Sequence, residues 1–513
     1  MNKNKIIKSQ KFFFVFTFVL IVSACFSANQ TNQNEATSQS DETDFTVSAP
    51  NINLAAPLEI SKEPKDAALC ERINRLIEQS EFSNARWGVI AVSLKDGRVA
   101  CAREARKLFN PASAQKILTS VVALDALGAD FRWQTKIYSN KEIENGTADG
   151  DLILYGHGAP DFNDESLQNL VNQLSAKNLK TVKGNIIGDE SIFIGDNLGD
   201  GWTWNDVQWY YGAEASALSI NQNQATISLA DGKPVSSIDY VQISGAVKQV
   251  QDVEAVGVKR GLGDNQIYVW GNANNLNARV SVNNPALLAA KNLKAALEKK
   301  GIIVEGEAKS ADWKSENKFN AANGVELASI ESQTLGEIMW KMNKNSVNLY
   351  AELILRTLGK RFGAAAPDEN RQKQKLRGDD AAGASVIKKW LTEKNVATDE
   401  IKIHDGSGLS RLDFVTPESI GRALIYAAQS KFADEFKNSL PVAGTDGTLR
   451  GRLGNVRGRV LGKTGSITYV NALAGYAKNS GDETFAFVIF CNNQTRKTES
   501  SSVIDSIAAT LAE

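Results

Sequence analysis

The sequence predicts an α+β fold, in which a domain built from an antiparallel sheet flanked by helices is split by a large, mainly β insertion. Three observations along its 513 residues support this prediction. A helix, a strand pair and a further helix are indicated before residue 130, short alternating runs follow, and helical and strand patterns return after about residue 333. A chain of this length exceeds one ordinary hydrophobic core, so we expect several domains.

The first part of the split domain is predicted over residues 55–130. Its first helix and two strands are expected at residues 65–80, 87–94 and 98–103. Lys95-Asp96-Gly97 separates the two strands, and Asp-Gly favours a tight hairpin turn. Asn110-Pro111-Ala112 then precedes a helical pattern at residues 113–127. We expect the start of this helix to expose Ser113.

The insertion is predicted over residues 131–320 and the second part of the split domain over residues 321–513. Within the insertion, the clearest strand patterns occur at residues 152–155, 225–229, 240–243 and 266–269. In the second part, helical patterns occur at residues 333–358, 382–394, 417–430 and 500–512. Its strands are expected at residues 472–477 and 484–491. The order is therefore split, with a sheet and a helix at the front, more helix and strand at the back, and a β insertion between them.

The N-terminal residues predict export. Lysines at positions 3, 5, 8 and 11 precede an apolar run at residues 12–22, which is typical of a signal peptide over residues 1–24. Val22-Ser23-Ala24-Cys25 resembles the bacterial lipobox, whose cysteine is lipidated and becomes the mature N-terminus. The alternative is a soluble secreted protein cut a few residues later. Both interpretations predict a periplasmic or otherwise exported protein, and the first adds a lipid anchor in a membrane.

The residues that follow predict a tether. Residues 27–50 are rich in Asn, Gln, Thr, Ser, Glu and Asp and hold few apolar side chains, so they cannot bury enough surface to fold. We therefore predict a flexible linker over residues 25–54. A linker of this length has a mean span of about 30 Å, which would let a lipid-anchored domain reach substrate away from the membrane.

Three cysteines follow Cys25, and an exported protein allows two of them to form a disulfide bond. Cys70 and Cys101 are the candidate pair, because a helix followed by a hairpin would bring the start of the helix near the second strand. The alternative is that both, together with Cys491, are buried free thiols.

Ser113 and Lys116 are the candidate nucleophile and base. A serine and a lysine three residues apart on a helix share one face. The lysine can take the serine proton if burial or neighbouring cations lower its pKa. Taken alone, this pair is more often part of a solvated helix face.

Two further motifs strengthen the catalytic interpretation. Ser346-Val347-Asn348 stands at the head of an apolar helical stretch and offers a hydroxyl for proton transfer and an amide for binding a peptide group. Lys463-Thr464-Gly465-Ser466 follows a strand-like run at residues 459–462. A cation and hydroxyls at that position could hold a substrate carboxylate, while Gly465 leaves room for substrate along the strand edge.

In this order, the three motifs resemble the active-site set of serine penicillin-binding proteins and β-lactamases. The longer matching segments are Pro111-Ala112-Ser113-Ala114-Gln115-Lys116, Asn343-Lys344-Asn345-Ser346-Val347-Asn348-Leu349-Tyr350-Ala351-Glu352, Asp405-Gly406-Ser407-Gly408-Leu409-Ser410-Arg411 and Gly462-Lys463-Thr464-Gly465-Ser466. They resemble the D-alanyl-D-alanine carboxypeptidase/endopeptidase family, the class C low-molecular-mass penicillin-binding proteins. The resemblance extends from about residue 55 to the C-terminus and includes the long insertion. It implies a transpeptidase-like fold for the split domain.

The resemblance also implies roles for the motif residues. Ser113 would attack the carbonyl of the penultimate D-Ala, Lys116 would accept its proton, and Ser346 would pass a proton to the departing D-Ala. The remaining family positions would bind substrate or supply positive charge; they are Asn348, Lys463, Thr464, Gly465 and Ser466. The N–H groups of Ser113 and Ser466 would form the oxyanion hole. Peptidoglycan stem peptides are then the substrates, and β-lactam antibiotics are covalent inhibitors.

Asp206 is a further candidate substrate-binding residue. The segment Trp202-Thr203-Trp204-Asn205-Asp206, followed by Tyr211-Gly212-Ala213, resembles a family segment whose Asp reaches toward the diamino-acid side chain of the stem peptide. The alternative is that Asp206 only caps or closes a turn.

Composition argues against other classes of function. Lys plus Arg number 58 against 59 Asp plus Glu, so no overall field favours nucleic acid as a partner. His157 and His404 are the only histidines and stand in no zinc-peptidase motif, so we expect neither a metal ion nor another cofactor. Two alternatives to the peptidase stay open: a β-lactamase, which the long insertion disfavours, and a non-catalytic wall-binding scaffold that keeps the fold.

Overall fold

The computed structural model describes residues 45, 47, 49–249, 254–316, 319–363, 378–397, 400–495 and 500–513. The predicted signal peptide at residues 1–24 and Cys25 lie outside these residues. The α-helices of the described part are α1 (Pro64–Glu78), α2 (Lys116–Leu127), α3 (Asp164–Ala176), α4 (Pro285–Lys299), α5 (Leu335–Asn345), α6 (Asn348–Phe362), α7 (Asp379–Glu393), α8 (Pro417–Gln429), α9 (Ala433–Ser439) and α10 (Ser501–Ala512). None of these helices is long and apolar enough to cross a membrane.

The strands fall into five sheets within the described residues. In chain order they are β1 (Arg86–Ser93), β2 (Val99–Arg103), β3 (Gln134–Ser139), β4 (Thr147–Ala148), β5 (Leu152–Gly156), β6 (Thr181–Val182), β7 (Ile186–Asp189), β8 (Gln224–Ala230), β9 (Lys233–Ser236), β10 (Gln242–Lys248), β11 (Ala255–Arg260), β12 (Gln266–Asn272), β13 (Asn277–Ser281), β14 (Ile303–Val304), β15 (Ala308–Ala311), β16 (Val325–Glu331), β17 (Val460–Ile467), β18 (Val470–Lys478) and β19 (Thr484–Asn492).

The central sheet joins both ends of the chain, in the strand order β17-β18-β19-β1-β2. All of its neighbouring pairs are antiparallel, and β1 lies directly against β19 over eight residue pairs. Because successive side chains of a strand point to opposite faces, Val89 and Ala91 pack with α1 and α10, while Ile90 and Val92 pack with α2 and α8. This arrangement confirms the predicted α+β fold with an antiparallel sheet between helices.

The insertion leaves the split domain after α2 and returns to it at α5, and it extends to β16, beyond the boundary predicted at residue 320. Its first strand β3 and its last strand β16 are antiparallel neighbours in a second five-stranded sheet, of order β15-β7-β5-β3-β16. The described part of the insertion also has three smaller sheets, in the orders β14-β6-β4, β13-β8-β9 and β10-β12-β11. The described residues from Phe45 to Glu513 nevertheless cluster as one compact unit.

Several predicted elements are corrected by the structure. The insertion contains two helices, α3 and α4, that the strand-based interpretation missed. The helical pattern at residues 333–358 is two helices, because Ser346 takes a left-handed backbone conformation with φ of 55° and ends α5. The pattern at residues 113–127 begins with a 3₁₀ turn, Ala112–Gln115, before α2 starts at Lys116.

The last residues of the predicted linker are packed against the body of the protein. Phe45 and Val47 are buried. Arg422 on α8 donates to the carbonyl of Leu54, and Gln429 on the same helix donates to the carbonyl of Pro50. The burial of two apolar side chains fixes this segment, so the flexible linker predicted over residues 25–54 is corrected for its described residues, 45, 47 and 49–54.

The predicted cysteine pair is confirmed as a disulfide bond. Cys70 on α1 is bonded to Cys101 on β2, with their Cα atoms 4.8 Å apart. Cys491 on β19 is a buried free thiol. The bond fastens α1 to the edge strand of the central sheet.

Candidate active site

Ser113 lies in a tightly packed 3₁₀ turn, Ala112–Gln115, against which two segments of the second part of the split domain pack. Ala112, before it, has a φ of 45°, which is unusual for a residue with a side chain. Two glycines allow neighbouring segments to approach the turn. A Cβ atom on Gly408 would lie 1.8 Å from the Ala112 carbonyl oxygen, and one on Gly465 would lie 2.9 Å from that of Pro111. The turn is therefore held between β17 and the loop that contains Gly408.

Lys116 occupies the first position of α2 and contacts three parts of the chain. Its Nζ lies 2.9 Å from Ser113 Oγ, 2.7 Å from Asn348 Oδ1 and 2.8 Å from the carbonyl oxygen of Ser407. The predicted nucleophile and base are thus within hydrogen-bond distance of each other. Their separation is the one that a direct proton transfer requires.

Burial controls the charge of Lys116. Its side chain has no exposure to solvent, and the loss of hydration lowers its pKa to about 7, although Asp405 and Glu352 raise it by attraction. A substantial fraction of this lysine is therefore neutral near pH 7. A neutral amine has the lone pair that a base needs, so Lys116 can accept the Ser113 proton.

Ser346 and Asn348 are presented at the break between α5 and α6. The left-handed conformation of Ser346 separates the two helices, and α6 starts at Asn348. Ser346 Oγ accepts a hydrogen bond from Lys463 Nζ at 2.9 Å. Asn348 Oδ1 accepts a hydrogen bond from Lys116 Nζ, and Asn348 Nδ2 donates one to the Tyr211 carbonyl oxygen at 2.8 Å.

The third motif lies inside β17 rather than after a strand. Lys463, Thr464, Gly465 and Ser466 all pair with residues of β18, and β17 is the edge strand of the central sheet in the described part of the chain. Lys463 is fully buried, and its burial, together with repulsion from Lys116, holds its pKa well below the usual value. Thr464 Oγ1 lies 2.7 Å from Thr448 Oγ1, and Ser466 Oγ accepts from Asn471 Nδ2 at 3.2 Å.

Two buried acidic residues, Glu352 and Asp405, lie next to the site. The sequence alone assigned neither of them a role. Glu352 on α6 accepts the N–H groups of Gly406 and Ser407, at 3.1 and 2.9 Å. Asp405 accepts the N–H groups of Gly408 and Ser410, at 2.6 and 2.7 Å. These bonds shape the loop at residues 405–410, in which the carbonyl oxygen of Ser407 accepts a hydrogen bond from Lys116 Nζ.

The buried carboxyl groups near Lys116 have raised pKa values. Burial raises the pKa of Glu352 to about 8, with repulsion from Asp405 as the next cause. Burial and the nearby Asp405 likewise hold the pKa of Asp413 well above its usual range. At a pKa of about 8, Glu352 is largely protonated near neutral pH, which limits the negative charge beneath Lys116.

A loop of the insertion closes one side of the site. Trp202 donates its Nε1–H to Asp405 Oδ2 at 2.9 Å, and Tyr211 supplies the carbonyl oxygen that holds Asn348. Asp206 lies between them and accepts both the N–H and the hydroxyl of Thr203, at 3.0 and 2.6 Å. These bonds match the turn-closing alternative, and Asp206 stays a predicted substrate-binding residue. The sequence signal that could have identified Trp202 as part of the site is its position in the same family-like segment as Asp206.

The structure therefore brings together Ser113, Lys116, Ser346, Asn348 and the β17 motif in one cleft. The two histidines lie elsewhere in the hydrogen-bond network: His404 Nδ1 contacts Asp200 Oδ2 at 2.8 Å, and His157 packs against Tyr155. A serine nucleophile, a neutral lysine base, a second serine bonded to a lysine and an open strand edge are the groups that acyl transfer from a peptide needs.

Comparison with known proteins agrees with this chemistry. The family described as D-Ala-D-Ala carboxypeptidase 3 (S13) matches residues 69–513. A D-alanyl-D-alanine carboxypeptidase of Actinomadura sp. (strain R39) is 28% identical over 480 residues, which cover 87% of this chain and 84% of the relative. The D-alanyl-D-alanine carboxypeptidase DacB of Haemophilus influenzae is 27% identical over 424 residues, covering 79% and 85% of the two chains.

Solved structures give the same result. The crystal structure of penicillin-binding protein 4 (dacB) from Haemophilus influenzae aligns with a TM-score of 0.72 at 27% identity, over 86% of this chain and 98% of that one. The structure of that protein in complex with a novel β-lactam aligns with a TM-score of 0.68 at 25% identity, over the same shares of the two chains.

Proposed function

The chain belongs to the D-Ala-D-Ala carboxypeptidase 3 (S13) family, and from this premise we propose that it is a serine D-alanyl-D-alanine carboxypeptidase of the class C penicillin-binding proteins. Its substrates are peptidoglycan stem peptides, and it is acylated by β-lactams. The observation that carries the proposal is the 2.9 Å contact between Ser113 Oγ and a buried Lys116 whose pKa is lowered to about 7. A non-catalytic scaffold does not require a lysine with a lowered pKa beside Ser113.

In the first half-reaction, Lys116 Nζ takes the proton of Ser113, and Ser113 Oγ forms a bond to the carbonyl carbon of the penultimate D-Ala. Negative charge then develops on the carbonyl oxygen. The N–H groups of Ser113 and of Ser466 are the candidate oxyanion donors, because β17 packs against the turn that holds Ser113. Thr464 and Lys463 supply a hydroxyl and a cation toward the terminal carboxylate.

In the same half-reaction, the peptide bond to the terminal D-Ala breaks and its nitrogen takes up, through Ser346, the proton that Lys116 accepted from Ser113, which leaves Lys116 neutral again. Lys463 Nζ is bonded to Ser346 Oγ at 2.9 Å, so this hydroxyl is oriented for the transfer. A water molecule then attacks the acyl carbon and gives its proton to Lys116. Ser113 leaves as an alkoxide and is reprotonated, which restores the free enzyme.

The first experiment is intact-mass spectrometry of purified protein after incubation with benzylpenicillin. We expect one covalent adduct on the wild type and none on Ser113→Ala. D-Ala release from a soluble D-Ala-D-Ala peptide should follow the same pattern. Folded wild-type protein without an adduct and without D-Ala release would reject the peptidase and favour the wall-binding scaffold.

Two related activities are separated by their products. A DD-endopeptidase cuts D-Ala cross-links and converts dimeric muropeptides to monomers, whereas a carboxypeptidase releases free D-Ala from pentapeptides. Incubation with both substrates and separation of the products measures the balance between them. Rapid turnover of nitrocefin without an accumulating adduct would instead assign the protein as a β-lactamase.

We also propose that the protein is exported to the periplasm and anchored to a membrane by lipid on Cys25. The support is the N-terminal sequence, with its lysines, apolar run and Val22-Ser23-Ala24-Cys25. A Cys25→Ala variant should lose its lipid mass, and a processed form of it should fractionate as soluble protein. A wild-type protein that lacks lipid and is cut beyond Cys25 would contradict the anchor.

A further inference from the structure

One face of a small sheet in the insertion carries aromatic side chains with no partner above them among the described residues. The sheet has the order β10-β12-β11, and its middle strand β12 exposes Tyr268 and Trp270. Their exposed fractions are 51% and 53%. The alternate residues of that strand, Ile267 and Val269, are buried on the opposite face. The sheet thus has a core side made of aliphatic groups and an outer side made of rings.

The indole of Trp270 lies flat on the sheet. Gly257 of β11 is its directly paired neighbour, and a Cβ atom on that glycine would lie 2.3 Å from two carbons of the indole. The ring therefore rests on the bare backbone of Gly257 and shows its other face to solvent. On the other side, β10 places Ser244 beside Tyr268 and Ala246 beside Trp270. Small neighbours leave both rings open from above.

Polar groups surround the two rings. Gln242 pairs with Gln266 at one end of the face and Lys248 pairs with Asn272 at the other. Lys259 pairs with Tyr268. The centre of a protein-binding patch is depleted of lysine, whereas Lys259 lies directly beside Tyr268 on this face. Here, flat rings with amide and amine groups at their edge match a ligand that is flat, weakly apolar on its faces and rich in hydroxyl and amide groups on its rim.

The face is continuous with the loop that closes the active site. Lys259 Nζ lies 5.8 Å from the ring centre of Trp204, which is 65% exposed. The neighbouring Arg260 is buried and donates to the carbonyl oxygen of Val207 at 2.7 Å. The sheet and the loop at residues 202–213 are thus bonded together, and Tyr211 of that loop holds Asn348 in the cleft.

We propose that this face, formed by Trp204, Lys259, Tyr268 and Trp270 and called here the aromatic platform, binds the glycan strand of peptidoglycan. Pyranose rings present C–H groups on their faces, which stack on the negative faces of aromatic rings. Their hydroxyl and N-acetyl groups are matched by the amide and amine rim. The inference rests on the proposed function, because a stem peptide in the cleft is attached to such a glycan. The platform would hold the glycan while the peptide is cut.

The test uses the full chain and glycan strands from which an amidase has removed the stem peptides. Binding is measured by calorimetry for wild type, Trp270→Leu and Trp270→Phe. Leucine still covers the Gly257 backbone but has no ring, so we expect about tenfold weaker binding, and phenylalanine should recover part of the loss. Phe362→Ala removes an aromatic side chain of similar exposure, 52%, at the end of α6 and should leave binding unchanged. Thermal unfolding verifies that each variant folds, and Tyr268→Ala replaces Trp270→Leu if that variant does not.

Turnover separates this inference from the proposed function. D-Ala release from a sugar-free D-Ala-D-Ala peptide should be the same in wild type and platform variants, whereas release from intact sacculi should fall several-fold in Trp270→Leu. A wild type that neither releases D-Ala nor forms the penicillin adduct would reject the proposed function alone, because glycan binding is measured in a separate experiment. A wild type that does not bind peptide-free glycan, or a folded Trp270→Leu that binds it as well as wild type, would overturn the platform.

Discussion

The amine of Lys116 lies where three hydrogen-bond acceptors meet, and its side chain is fully buried. Burial disfavours its charge, while Asp405 and Glu352 favour it. The balance leaves a pKa of about 7, and the pKa of Lys463 is lowered by the same burial and by repulsion from Lys116. The carbonyl oxygen of Ser407 and the amide oxygen of Asn348 then orient the amine toward Ser113.

This pKa predicts a pH dependence of acylation. Neutral Lys116 is the competent form, so the second-order rate constant for benzylpenicillin should rise by about tenfold per pH unit below pH 7 and level off above it. The sign follows from the lysine, because protonation removes its lone pair. Stopped-flow or quenched mass measurements between pH 5 and pH 9 check it. A rate that is flat from pH 5 to pH 8 would contradict the role of Lys116 as base.

Gly408 should be intolerant of any side chain. It has a φ of +79°, and a Cβ atom there would lie 1.8 Å from the Ala112 carbonyl oxygen. We expect Gly408→Ala to displace the Ser113 turn and slow acylation by about a hundredfold or more. Gly458→Ala is the matched control, because Gly458 has a φ of +74° with no atom near its Cβ position. It should cost about 1–2 kcal/mol of stability but leave the acylation rate unchanged.

Residues close together in sequence were predictable, and those brought together by the fold were not. Ser113 and Lys116 are three residues apart, so a short motif and its resemblance to a family sufficed. Trp202 and Asp405 are 203 positions apart, and no local pattern connects them. Glu352 lies within a segment that resembles the family, but its bonds to the loop at residues 406–407 depend on tertiary packing.

The disulfide bond ties two elements of the N-terminal part together. Cys70 in α1 and Cys101 in β2 are 31 residues apart in sequence. The helix also packs on the sheet through Ile73 and Ile77, which are fully buried. The bond therefore adds a covalent constraint to an element that already has an apolar face.

Removing this bond should lower stability without removing activity. A loop of this length predicts a loss of about 3–4 kcal/mol in the free energy of unfolding for the Cys70→Ala/Cys101→Ala double variant. Urea denaturation with and without a reductant measures it: the wild type should respond to the reductant and the variant should not. The folded variant should still form the penicillin adduct. Equal unfolding midpoints for the two proteins would contradict the stabilising role.

Helix boundaries show which signals were missed. Both helices of the insertion begin with an asparagine whose side chain caps the helix: Asn163 accepts from Ser166 N, and Asn284 accepts from Leu287 N. Asn284 also precedes a proline, so these starts were readable from sequence. The break at Ser346 was not, because the apolar spacing continues through it and a serine gives no sequence signal for its left-handed φ of 55°.

At the scale of the whole molecule, the insertion contributes to the site that the split domain builds. The Trp202 indole holds Asp405, and the Tyr211 carbonyl oxygen holds Asn348. The loop that contains Asp405 presents Ser407 to Lys116. A contact in the insertion thus orients the base through the Asp405 loop.

Trp202→Phe tests this connection. The variant keeps the ring but loses the N–H donor to Asp405, and we expect acylation to slow by about tenfold, equivalent to about 1.4 kcal/mol in the barrier. Trp313→Phe is the control, since it removes an indole donor to the Gly195 carbonyl oxygen within the insertion and should leave acylation unchanged. Equal rates for Trp202→Phe and wild type would show that the insertion does not support the base.

The paired strands β3 and β16 have a consequence for how such a molecule can arise. Where these strands meet the split domain, Trp133 and Ser332 are bonded to each other, with Ser332 N donating to the Trp133 carbonyl oxygen at 2.9 Å. Joining two positions this close by about two hundred residues instead of a tight turn costs only about 3–4 kcal/mol more in closure entropy, because each doubling of length adds about 0.6 kcal/mol. A compact ancestor could therefore have gained the whole segment in one genetic event, and engineers could exchange it at the same two positions.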